Sequence, residues 1–330
     1  MQRLALMSAL LIPCLLCPEG RAAPADPALA SPKPVPRMQA VPQPYDQVSF
    51  QRVGAEIART HFGRGLRRPF VFPVVGPAGR SLTRMGHPHD PVTHSHHNSV
   101  WVSHHDVSGV NFWADHGRGL GTIVHQRVER LEDGDDAAAV QALNHWVGPD
   151  GKVLLVERRR VAVRPLAGCE WLMLLDLAFT APAADRPATF NVNPFGVIGV
   201  RMAKTIGIHD GGGTIRNSEG NRDEKGPNGC FRKPARWCDY SGPIAPGTVE
   251  GVTLMDHPSN VNHPTPFHVR GDGWMGACLT LETPVQVTAE RPLRLRYGLW
   301  IHGGLPTAQA IEARWKAFAA TKVMPLKATR

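Results

Sequence analysis

The chain has 330 residues, 37 Lys and Arg against 28 Asp and Glu, and a net charge of +9 that comes mostly from arginines scattered along its length. Scattered charge of this kind argues against a nucleic-acid partner. After the first 23 residues no apolar run approaches the length of a membrane span, and Gly211-Gly212-Gly213 is followed by strand-like Thr214-Ile215-Arg216 rather than a helix, which disfavours nucleotide binding.

Taken in chain order, Arg3, the apolar stretch Leu4 to Leu16 and the small residues Gly20, Ala22 and Ala23 predict a secretory signal peptide over 1–23, and hence a periplasmic or secreted bacterial protein. Residues 24–46 are rich in Ala and Pro and are expected to form an extended linker, with folded structure starting near Val48. Residues 47–325 then read as one domain. Strands are expected at Val48 to Val53, Phe70 to Val75, Ser99 to Ser103, Gly121 to Glu129, Ala138 to Trp146, Val153 to Val163, Trp171 to Thr180, Val197 to Met202, Gly251 to Met255, Trp274 to Leu281, Val285 to Thr288 and Leu293 to His302. Gly148-Pro149-Asp150-Gly151 marks a hairpin, and Arg158-Arg159-Arg160 reads as the solvated face of a strand. Thr307 to Thr321, with Ala308, Ile311, Trp315 and Phe318 at helical spacing behind Pro306, is the one clear helix. The expected fold is all-β, a large antiparallel sandwich with a short C-terminal helix. Outside the leader, Cys169, Cys230, Cys238 and Cys278 allow three pairings, of which Cys230 with Cys238 is favoured, while Cys169 and Cys278, both in apolar runs, can also be read as buried thiols.

Nine of the sixteen histidines fall between His87 and His125, a density that packing alone does not explain. If Ser99 to Asp106 is extended, His104 and Asp106 share a face about 7 Å apart, opposite Trp101. A carboxylate beside an imidazole is a usual general acid/base pair. The candidate catalytic residues are therefore His97, His104 and Asp106, together with Asp256 and His257 from the polar cluster after the strand ending at Met255. Candidate substrate-binding residues are His96, Asn111, Trp113, Arg201, Asp239, Asn260, His268 and Arg270. The His94 to Asn111 and Asp256 to Arg270 segments are expected to converge, since polar groups this dense are costly to bury unless they face one another, water or a ligand.

The runs Pro69 to Arg84 (PFVFPVVGPAGRSLTR), His94 to Trp113, Ile215 to Gly242 (IRNSEG, WCDYSG) and Met255 to Arg270 (MDHPSN, HPTPFHVR) together resemble the DUF6807 family, also labelled PmoA-like or methane oxygenase. The resemblance covers nearly the whole chain after the leader and implies a galactose-mutarotase-like supersandwich in an exported protein of glycan-degrading bacteria. Two departures stand out. Where an Asp-His-Pro-His-His-Arg pattern is expected, this chain has Thr93-His94-Ser95-His96-His97-Asn98, and where a Lys-Glu pair is expected it has Pro194-Phe195. The expected function is His/Asp acid-base chemistry on a carbohydrate or glycan-derived small molecule, as hydrolase, lyase or epimerase. The alternatives are a non-catalytic glycan-binding or envelope protein on the same scaffold and a His-based metal enzyme. A two-carboxylate hydrolase would have to pair Asp106 with Asp256. No metal ligand set and no cofactor is specified by the sequence.

Overall fold

A computed structural model describes residues 34–86, 94–323, 325 and 326. The signal-like segment, the first part of the linker and His87, His89 and Asp90 lie outside the described residues. The remainder is an all-β antiparallel sandwich with one short C-terminal helix. One sheet has nine strands in the order Met38–Gln43, Gln47–Arg52, Ala55–His61, Phe70–Val74, Val100–His104, Asn193–Arg201, Trp274–Thr280, Pro266–Arg270 and Lys233–Pro234. A second has eight, in the order Thr214–Asn217, Trp237–Ala245, Thr248–Asp256, Leu293–Gly303, Trp171–Thr180, Val153–Pro165, Ala138–Val147 and Thr122–Glu132, and Ala188–Phe190 pairs separately with Val285–Val287. Among the described residues no helix is long and apolar enough to cross a membrane.

Period-two alternation decides which layer each side chain joins. Along Trp171–Thr180, Trp171, Met173, Leu175, Leu177 and Phe179 enter the main core between the sheets. Leu172 and Leu174 face the other way, joining Trp237, Met255 and Trp300 under Ile311 and Phe318 of the helix Ala308–Ala319. Coverage on both faces is why this strand reads as an apolar run broken only by Asp176, which is buried in an ion pair with Arg296. Thr307 caps the helix by accepting from the Ala310 N–H at 3.1 Å. The nine-stranded sheet divides in the same way: Val100 and Val102 face the main core, while Trp101 joins Phe70, Trp113 and Trp274 in a separate aromatic cluster.

Four expectations need correction. Ordered structure starts before Val48: Met38–Gln43 pairs with Gln47–Arg52 and buries Met38 and Ala40, so the Pro-rich linker supplies an edge strand. Arg158, Arg159 and Arg160 are not a solvated face. Arg159 is buried against Glu157, and its neighbours pair with Glu129 and Glu132. Cys230 and Cys238 are free thiols, as are Cys169 and Cys278; burial pushes Cys230 up to about 12 and Cys238 well above the ordinary thiol value. Finally, Trp237–Ala245 is a nine-residue strand hidden by its polarity. Cys238 and Tyr240 face the core, while buried Asp239 accepts from Ser241 on its own strand and from Thr253 on the next.

Candidate functional site

The largest concentration of imidazole lies outside the main core, in a cavity of about 460 Å³ over the aromatic face of the nine-stranded sheet. It is lined by His94, His96, His97 and His105 from the histidine segment, and by His268, Arg270, Asp272 and Trp274 from the hairpin Pro266–Arg270 to Trp274–Thr280. Trp113, Phe195, Phe231 and Arg232 complete the walls.

Local chemistry explains the placement. His94 adopts a left-handed backbone conformation and its carbonyl accepts from the His97 N–H at 2.9 Å, closing a turn that presents three imidazoles together. Gly86 permits that turn, because a Cβ there would overlap the His94 carbonyl oxygen. Asn111 accepts from the Trp113 and Ala114 N–H groups at 2.8 and 3.1 Å, an Asx turn that sets the Trp113 ring. Both loops are held by buried Arg68. Its guanidinium donates to His96 O (3.0 Å), Asn98 Oδ1 (2.6 Å), Trp113 O (2.8 Å) and Asp115 Oδ1 (2.9 Å), with longer bonds to Phe112 O and Ala114 O.

The imidazoles are packed on aromatic planes. His97 stacks on Trp101 with centroids 5.0 Å apart and on His94 at 4.6 Å; His268 lies 4.1 Å from Trp274 and stacks on Phe195 at 5.3 Å. Burial pushes His97 well below the ordinary imidazole value and brings His96 and His268 down to about 4, with neighbouring cations adding to the effect. All three are neutral at neutral pH. His268 Nδ1 lies 3.2 Å from the Pro194 carbonyl, which can only accept, so Nδ1 carries the proton and Nε2 the lone pair. His268 Nε2, His97 Nδ1 and Trp274 Nε1 are buried polar atoms without a hydrogen-bond partner. Their concentration around one cavity marks it as a surface prepared for something polar.

Of the thirteen sequence candidates, His96, His97, Trp113, His268 and Arg270 line this cavity. Arg201 lies behind it, buried and paired with Asp272 at 3.1 Å. The other seven have structural partners instead. His104 faces the opposite side of its strand, with Nε2 2.8 Å from Thr280 Oγ1 and Nδ1 accepting from the Asp106 N–H at 3.0 Å. Asp106 accepts from the Gly109 N–H and the Asn191 amide, and Asn111 is spent on its turn. Asp256 accepts from Asn260, from Thr265 N–H and from the Thr265 hydroxyl, and contacts His263 at 2.7 Å. Asn260 also bridges to the Arg296 backbone, and His257 packs edge-on against Phe318 beneath the helix. Asp239 is fully buried. Burial alone would raise its carboxyl, yet His302 and Arg216 hold it at about 2.

The acid/base pairing of His104 with Asp106 therefore fails for a single reason: the site lies on the Trp101 face of the strand. His105, Phe195, Phe231, Arg232, Asp272 and Trp274 are additional lining residues. Phe195 carried a signal in the sequence, since it belongs to the Pro194-Phe195 departure. Asp272 and Trp274 extend the alternation from His268 and Arg270. Among the described residues no group of three His, Cys, Asp or Glu side chains is arranged to hold a metal ion.

No curated protein matches the sequence. A family model described as "Family of unknown function (DUF6807)" matches residues 47–316, and the chain therefore belongs to the DUF6807 family.

Proposed function

We propose that the protein is exported and binds a carbohydrate or glycan-derived molecule in this cavity, with neutral imidazoles as its proton-transfer and hydrogen-bonding groups. The observation that carries the reading is the meeting of His94, His96, His97 and His268 on the rings of Trp113, Trp274 and Phe195, brought together from segments far apart in the chain. Flat apolar rings suit the faces of a sugar, and imidazole nitrogens suit its hydroxyls. A volume of about 460 Å³ is in the range of small-ligand sites.

Proton transfer here rests on imidazole. Asp106 and Asp256 are each committed to backbone turns, and Asp272, the only lining carboxylate among the described residues, pairs with Arg201. His268, with the lone pair on Nε2, is suited to accept a proton, as a lyase or epimerase requires. A binding protein without catalysis is the second reading. It is favoured by Phe195, which lines the cavity at the position where the family resemblance leads one to expect part of a Lys-Glu pair.

Calorimetric titration against a panel of mono- and oligosaccharides, combined with detection of new reducing ends or unsaturated products, tests the proposal. Binding that Trp113→Ala weakens about tenfold or more, as loss of a ring contact worth roughly 1–2 kcal/mol implies, is the expected result. A panel that never binds, or binding indifferent to Trp113→Ala, refutes it.

A further inference from the structure

The charges around the cavity do not cancel. Asp272 is paired with Arg201, and Arg270 Nε forms an ion pair with Glu224 Oε1 at 2.8 Å. Glu224 is itself buried and fixed by the Gly271 N–H at 2.7 Å, so it acts as a backing that orients Arg270. The Tyr240 hydroxyl braces the same segment through the Arg270 and Gly271 carbonyls. Arg232 is different. It lines the cavity, and among the described residues no carboxylate pairs with it. Its guanidinium lies 5.0 Å from the centroid of Phe231, and that of Arg270 lies 5.7 Å from the same ring. The backbone brings the two together, since the Arg232 N–H donates to Phe267 O on the strand that ends at Arg270.

Two guanidinium forks thus lie against one ring in the wall of a pocket where burial keeps His96, His97 and His268 uncharged and whose only lining carboxylate among the described residues is paired with Arg201. A neutral sugar leaves that positive charge uncompensated. A planar carboxylate matches the fork geometry and takes up the guanidinium N–H donors that Glu224 does not use. We infer that the ligand carries a carboxylate, as a uronic acid or a uronate-containing oligosaccharide does, and that Arg232 and Arg270 receive it. This rests on the carbohydrate reading above and adds the substrate class.

The test is calorimetric titration of the full chain with galacturonate and glucuronate oligosaccharides, their methyl esters, the corresponding neutral oligosaccharides and sulfated analogues. Uronides should bind about tenfold or more tightly than esters or neutral sugars, the value expected for one charge-assisted contact. Their affinity should fall as salt rises. Arg232→Gln and Arg270→Gln should each remove most of that advantage, whereas Arg130→Gln, on an exposed strand face, should leave it intact. Unchanged melting temperatures would show that the variants are folded. Esters or neutral sugars binding as tightly as uronides would overturn the inference and leave the carbohydrate reading standing. Sulfated analogues binding more tightly would overturn the carboxylate assignment, and failure of every sugar to bind would overturn both.

Discussion

Replacing Arg68 by Met keeps the aliphatic bulk and removes the clamp that holds both loops of the cavity. The residue is 1% exposed, and its two terminal nitrogens serve the backbone carbonyls of His96, Phe112, Trp113 and Ala114 together with Asn98 and Asp115. Removing one member of a buried ion pair costs about 3–5 kcal/mol, because the partner is left unpaired. Asp115 keeps 19% of its side chain exposed and water can reach it, which favours the lower end. Each stranded carbonyl adds about 1 kcal/mol where water cannot replace the donor. A loss of at least about 4 kcal/mol, the lower-end ion-pair cost with one of the four carbonyls left stranded, is therefore expected in urea unfolding followed by tryptophan fluorescence. Lys, a point charge that cannot span acceptors on two loops, should recover less than half of it. Because the clamp also sets Trp113 and His96, ligand affinity should fall in native conditions where the variant is still folded. A loss under about 1 kcal/mol would refute the reasoning, for it would mean that the two loops hold their shape without the guanidinium.

The pH dependence of stability has a definite sign. His104 and His268 are lowered to about 4 and His97 well below the ordinary imidazole value, all chiefly by burial, so between about pH 6.5 and 4 the unfolded chain binds protons that the folded chain does not. Stability should be full above about pH 6.5 and fall as pH drops, by about 3 kcal/mol for His268 alone; a melting temperature flat from pH 7 to 4.5 would contradict this. His104→Ala should cost about 2–4 kcal/mol through its lost contacts with Thr280 and Phe190, whereas His105→Ala should leave thermal unfolding nearly unchanged and weaken ligand binding; the reverse ranking would put the site on the other face of the strand. With no disulfide among the described residues, a reductant should not shift the melting temperature of the folded domain. A thiol reagent should label Cys169 in the native state, and Cys230, Cys238 and Cys278 only on unfolding.

Much of the architecture was legible in local sequence because it depends on local periodicity. The alternating runs from Ala138 to Thr180, the Gly148 to Gly151 turn and the Thr307 cap each fix their element through neighbours in the chain. The family was legible as well, through four ordered motifs. The histidine segment marked one wall of the cavity, and His268 and Arg270 another. Tertiary structure decided which face of each strand would be the outside of the sandwich. Period two puts Trp101 and His104 on opposite sides but does not say which side meets solvent, and that follows from what the second sheet covers. For the same reason Asp239 and Asp256 read as site residues. A buried carboxylate with several donors and one facing a ligand are the same residue type in sequence, and only partners such as Arg216, Thr253 and Thr265, from other segments or the far side of a turn, separate them. Arg68 was invisible in turn because its role consists of contacts with residues 28 to 47 positions away, in loops whose shape it creates.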